Sequence, residues 1–256
     1  MKSKELFLAN VKKYIRPQTD PVAIKLVFGD EQPPEGMKRP TEKFGYPLAA
    51  CQGVSAARRL GLSMSFEMED HACPPSLCVF GYLPKERLLS GQVTMPGYAG
   101  SEEAAKKIEA ANIILEAPPR AIWFAPYETA QFEPDIVLVY GNSAQATRLA
   151  QGYAYYTGDG VKSYTLGRLA CASYVNKVYV TQEPTIVIPG GGERAFGTTG
   201  DDELVFALPV KFLETTALGI EAVHKAGYAR YPTGFAGITA QPKLPGKYYK
   251  YLMPKE

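Results

Sequence analysis

Two nearly continuous apolar segments, residues 121–127 (Ala-Ile-Trp-Phe-Ala-Pro-Tyr) and 135–141 (Asp-Ile-Val-Leu-Val-Tyr-Gly), constrain the fold of this chain more than any other feature. Neither alternates polar with apolar positions, so both read as central strands of a sheet with helices on its faces. The second runs directly into Asn142-Ser143 and a helical pattern over residues 144–156. Such a junction puts free amides and a helix N-terminus at a sheet end, where a ligand can bind. Asn142 and Ser143 are therefore candidate cofactor contacts; the alternative is a capped helix after a strand.

The remaining elements follow from periodicity and punctuation. Phe7, Leu8, Val11, Tyr14 and Ile15 recur at helical spacing until Pro17, which gives a helix over 3–16. Residues 21–28 and 63–69 read as strands, and 48–60 as an Ala-rich helix ending at Gly61. Further helices are expected at 76–82, 85–89, 101–111, 168–179 and 211–226, the third capped by Ser101. Strands are expected at 92–95, 161–166, 185–188 and 203–208. No repeat is present. The expectation is one α+β domain over residues 1–226, with a mixed sheet flanked by helices, followed by a C-terminal arm at 227–256.

That arm holds five Tyr, four Pro and four Gly, with five basic residues against one acid. Tyrosine at this density favours ordered packing over a loose tail, and so a homo-oligomer assembled through the arm. The net charge of +2, without a basic stripe interleaved with aromatics, gives no sign of nucleic-acid binding. No apolar run approaches the roughly 18 residues of a membrane span. The charged N-terminus lacks the apolar centre of a signal peptide, so a cytoplasmic protein is expected. Four cysteines are too few for a disulfide scaffold in a chain of 256 residues.

Chemistry concentrates in the stretch from Asp70 to Tyr82, Asp-His-Ala-Cys-Pro-Pro-Ser-Leu-Cys-Val-Phe-Gly-Tyr. The Pro-Pro pair fixes the backbone after Cys73 and starts a helix carrying Cys78, so two thiols and His71 can face one pocket. Cys51 and Cys171 fall in the opening turns of other helices, where amide dipoles favour thiolate. Cys51, Cys73, Cys78 and Cys171, with His71 beside Asp70, are thus candidate ligands for an iron–sulfur cluster or other metal. Buried structural thiols and redox or nucleophilic cysteines remain open as alternatives. The run Gly190-Gly191-Gly192 with Arg194 is a second candidate, an anion-binding loop with a guanidinium beside it. It matches neither a Walker loop nor a dinucleotide fingerprint.

Several segments taken in order resemble one family. These are Pro21-Val-Ala-Ile-Lys25, the Cys51 helix, His71-Ala-Cys73-Pro74, Phe132-Glu-Pro-Asp135, Gly141-Asn-Ser-Ala-Gln-Ala146 with Arg148, and Gly200-Asp-Asp-Glu-Leu204. Together they resemble the domain-of-unknown-function family 169, found in archaea and many anaerobic bacteria, over about residues 20–213. The family carries no established activity. The resemblance implies positions: Cys51, Cys73 and Cys171 stand where members often have cysteine. Near Gly190 many members carry a further cysteine before a Ser-Gly-Asp-Arg-like run, matched here by Gly191-Gly-Glu-Arg194. Because this chain has glycine there, a four-ligand site needs Cys78 or a non-cysteine ligand. The same alignment of motifs implies that the glycine loop and the cysteines share one cleft.

The functional expectation is a redox-linked, cofactor-binding protein with a cysteine-lined pocket and an anion-binding glycine loop. The alternative is a non-enzymatic binder of a small organic ligand or tetrapyrrole, with the cysteines as apolar lining. Whether the chain is an enzyme is left open by its motifs.

Overall fold

A computed structural model describes residues 2–163, 165–227, 230–232, 238 and 245–253 of the chain. Its centre is a seven-stranded mixed sheet in the order β2-β3-β1-β4-β7-β6-β5. The strands are β1 (Val22–Val27), β2 (Met64–Phe66), β3 (Ala121–Pro126), β4 (Ile136–Gly141), β5 (Lys162–Ser163), β6 (Thr185–Val187) and β7 (Leu204–Pro209). All pairings are antiparallel except β5 with β6. Every residue of β3 and β4 is buried, as their unbroken apolar sequence requires.

The sheet separates two cores. Ile136, Leu138 and Tyr140 of β4 face one, while Val137 and Val139 face the other, the period-two alternation of a strand. The second core is covered by α1 (Lys2–Asn10) with a π-helical turn at Val11–Ile15, by α7 (Ser143–Thr157) and by α10 (Leu213–Ala226). The first is covered by α3 (Ala50–Leu60), by α4 (Pro74–Val79) and by a π-helical turn (Ala172–Asn176) that continues as α8 (Lys177–Thr181).

Shorter helices α2 (Pro40–Phe44), α5 (Lys85–Leu89), α6 (Glu102–Ala110), α9 (Gly191–Phe196) and α11 (Gly246–Leu252) complete the described elements. Ser101 caps α6 by accepting from the Ala104 amide at 3.2 Å. Gly61 ends α3 in the left-handed region, at φ 69°.

Three local expectations change. Residues 92–95 form consecutive turns, because the flanking Gly91 and Gly97 and Pro96 interrupt extension. The strand expected at 161–166 is only Lys162–Ser163. The glycine run expected as a loop opens a six-residue helix, α9. Most of the arm at 227–256 lies outside the described residues; α11 within it exposes Tyr249 and Tyr251. No helix among the described residues is long and apolar enough to cross a membrane.

Candidate functional site

The segment before α3 lies alongside the segment after β2. The Leu48 amide donates to the Asp70 carbonyl at 2.9 Å, and the Ala72 amide donates to the Leu48 carbonyl at 2.9 Å. This short pairing brings the start of α3, with Cys51, beside Cys73 at the start of α4. Asp70, fully buried, clamps the arrangement by accepting from Arg39 Nε at 2.8 Å and Thr41 Oγ1 at 2.7 Å. Those partners hold its carboxyl below the usual range against the burial that raises it.

A second pair of segments closes the place from the other side. Gly190 packs directly on the turn at Gly167; a β-carbon on Gly190 would sit 2.2 Å from the Gly167 carbonyl oxygen. That contact explains the first glycine of the run as a close backbone approach. It also sets α9 beside Cys171, which immediately precedes the π-helical turn. Asn176 in that turn donates to the Val79 and Ile113 carbonyls, both at 2.8 Å, and so ties the turn to the end of α4. Single π turns within helices recur at functional sites.

Between these segments is a cavity of about 440 Å³. Cys51, Cys73 and Cys171 all line it, with Arg168, Gly190 and Glu193. The rest of the wall is mostly alanine, proline and leucine, with Val93, Tyr98 and Phe196 at the sides. A larger hollow of about 800 Å³, between α1 and residues 16–21, holds no cysteine.

The other expected residues are placed elsewhere. Cys78 is buried in the core below the cavity and is not one of its wall residues. His71 packs among Phe66, Phe80 and Tyr82, at ring separations of 5.2, 5.6 and 5.4 Å, with neither nitrogen hydrogen-bonded to any described residue. Burial holds it neutral, its pKa lowered to about 4 despite the pull of Asp70. Arg194 turns outward, donating to the Gly200 carbonyl at 2.5 Å and reaching Asp201 at 3.5 Å. Asn142 and Ser143 lie at the start of α7, on the other side of the sheet from Cys51. Asn142 caps that helix by accepting from the Gln145 amide at 3.0 Å, while Gln145 accepts from the Asn142 amide at 2.9 Å. Among the described residues no group of three or more His, Cys, Asp or Glu is arranged so that it could hold a metal ion.

The walls carry unusual protonation. Burial raises the Cys51 thiol to about 12, with Glu193 and Cys73 pushing the same way and the Gln52 amide opposing. Cys171, wholly buried, is pushed well above its ordinary value by burial and then by Cys73 and Cys51. Both are therefore thiols, not thiolates, at neutral pH.

Glu193 was legible only as one letter of the glycine run, yet it is the acid of the wall. It is 5 % exposed, and burial raises its carboxyl to about 7. Tyr140 donates to its Oε1, while Oε2 has no partner among the described residues. Arg58 lies 4.0 Å over the Tyr140 ring but is committed to Glu203 through bonds of 2.8 and 3.1 Å. Arg168, also missed, is paired with Glu109 at 2.6 Å and Thr94 at 2.7 Å beneath the Tyr98 ring. An arginine three residues before a helical cysteine was the available signal for it.

Residues 10–218 match the profile of the domain-of-unknown-function family 169, described as an uncharacterised ArCR family. The chain belongs to this family. One relative, an uncharacterised protein (MJ0308) of Methanocaldococcus jannaschii, is 28 % identical over 204 residues, which cover 78 % of this chain and 86 % of the relative. No solved structure matches the chain. In this member of family 169 the matched region contains every wall residue of the cavity.

Proposed function

We propose that the chain is a binding protein for a compact organic ligand or cofactor, received in the thiol-lined cavity. The observation that carries this reading is the wall itself: protonated thiols and small apolar side chains from four segments enclose about 440 Å³. That volume lies in the range of small-molecule sites, which are mostly apolar with a few polar groups. Protonated thiols behave there as small hydrophobic surfaces.

A second reading, a redox-linked iron–sulfur or other metal centre, is favoured by the convergence of Cys51, Cys73 and Cys171 from three separate elements. A soft cation would displace the thiol protons and so reverse their protonation. The Gln52 and Ala172 amides already lie where they favour thiolate at Cys51 and Cys171. Cytoplasmic residence and self-association through residues 227–256 belong to the same proposal, supported by four free cysteines and by the tyrosine-rich composition.

Protein purified without oxygen, then denatured and assayed by mass spectrometry and elemental analysis, separates the two. The first reading expects a released organic mass and no stoichiometric metal. Stoichiometric iron or zinc that disappears in Cys51→Ser and Cys171→Ser would overturn it in favour of the second.

A further inference from the structure

Every charged group around the cavity except one is already answered. Arg168 has Glu109, Arg58 has the two oxygens of Glu203, and Arg194 has the Gly200 carbonyl and Asp201. Glu193 makes no ion pair among the described residues, and its Oε2 is a buried acceptor without a donor. A buried carboxylate oxygen is seldom left so unless something outside the chain supplies the hydrogen bond. The sulfur groups nearby cannot supply it well, since thiols are weak donors.

We propose that Glu193 receives the protonated nitrogen of the ligand, which is a compact amine or N-heterocyclic cation with an apolar or aromatic body. This rests on the cavity being the ligand site. The body of such a ligand would lie against Phe196, Tyr98 and the alanines of the wall. Its cation would meet the carboxylate of the cavity wall that has no ion-pair partner among the described residues, in surroundings that strengthen the attraction. Gly192 adds space, because a β-carbon there would meet nothing within 4 Å.

The charged and titratable groups facing Glu193 come from each element packed on it. They are Cys51 and Arg58 of α3, Tyr140 of β4, Cys171 and Tyr174 at the π turn, Arg194 of α9 itself, and Glu203. Burial raises every acid in this set, but at Glu203 the bonds from Arg58 and the Gly200 amide outweigh it and lower the carboxyl, so Glu193 is the one that changes charge near neutrality. An amine remains protonated throughout that range.

Three probes with one indole body test the assignment: tryptamine, tryptophol and indole-3-acetate, titrated calorimetrically into the full chain. Tryptamine should bind at least about tenfold more tightly than the other two, since one ion pair in a buried site is worth that much. Its affinity should rise about tenfold between about pH 6 and about pH 8 as Glu193 ionises, with tryptophol unchanged. Glu193→Gln should abolish both the preference and the pH dependence, bringing tryptamine down to the affinity of tryptophol for the same variant. If that variant fails to fold, the wild-type pH series alone decides. Equal binding of tryptophol and tryptamine, or a preference for indole-3-acetate, would overturn the amine assignment and leave the cavity reading standing. Absence of binding by all three would overturn both.

Discussion

On one face of the sheet α7 and α10 meet so closely that Gly152 and Gly219 touch through their backbones; a β-carbon on Gly219 would lie 1.9 Å from the Gly152 carbonyl oxygen. On the other face the segments around Cys51, Cys73, Cys171 and Glu193 leave about 440 Å³ unfilled. Both faces are built on alternate residues of the same strand, β4. The first is packed, between α7 and α10, to the limit that backbone contact allows, and its hollow of about 800 Å³ lies out beside α1. The other keeps a cavity, a carboxylate oxygen without a donor and two thiols held protonated by burial. Close packing is the default of protein interiors, so a cavity that gathers buried thiols and an unpaired carboxylate oxygen on one wall points to a purpose other than stability.

The contrast is broken most severely at Gly219. Gly219→Ala gains at most about 1 kcal/mol of helix propensity. It also drives a methyl into the backbone of α7, and overpacking alone costs about 1–3 kcal/mol where side chains can yield. A backbone oxygen at 1.9 Å cannot yield without moving the helix. The expected net loss is therefore at the upper end, roughly 3 kcal/mol, read as a lowered urea midpoint at unchanged slope.

Glu193 gives the next largest effect, and on the opposite face. Its carboxyl lies at about 7 in the fold against an ordinary 4.5, so the folded chain holds this proton more firmly than the unfolded chain. The corresponding stability is fully present below the ordinary value and is lost as pH rises through about 7. The loss is on the order of 3 kcal/mol. Glu193→Gln, which can still accept from Tyr140, should remove that slope and be more stable than wild type at about pH 8. Urea titrations of both proteins across that window check the sign. A wild-type stability that rose with pH relative to the variant would mean that Glu193 is ionised and answered in the fold.

The sequence carried the scaffold well because its signals are local. Unbroken apolar runs marked β3 and β4, Ser101 marked the start of α6, and Gly61 marked the end of α3. Family resemblance and helix-start positions also pointed to three cysteines near one cleft, and Cys51, Cys73 and Cys171 do share the cavity. What failed to show depends on side-chain direction over long separations. Arg194 follows the glycines, but α9 turns it outward to Gly200 and presents Glu193 to the cavity in its place. His71 follows Asp70, but Asp70 spends its oxygens on Arg39, Thr41 and the Glu67 amide, and the imidazole packs among aromatic rings. Asn142 closes a capping box with Gln145, whose amide reaches back to the Ile15 and Arg16 carbonyls. In each case the competing partner lies elsewhere in the fold or within three residues along the chain, and spacing alone does not rank such partners.

The smallest expected effect sharpens the comparison between the faces most directly, because it repeats the Gly219 substitution where the space exists. Gly192 is inside α9 with ordinary helical backbone, and a β-carbon there would meet nothing within 4 Å. Gly192→Ala therefore adds no clash and removes the conformational freedom of glycine, for a change between zero and a gain of about 1 kcal/mol. The same methyl group is thus expected to cost roughly 3 kcal/mol at Gly219 and nothing at Gly192. Paired urea titrations read both. If Gly192→Ala instead destabilised the chain as much as Gly219→Ala, the cavity would be closed in solution and the two faces of the sheet would be packed alike.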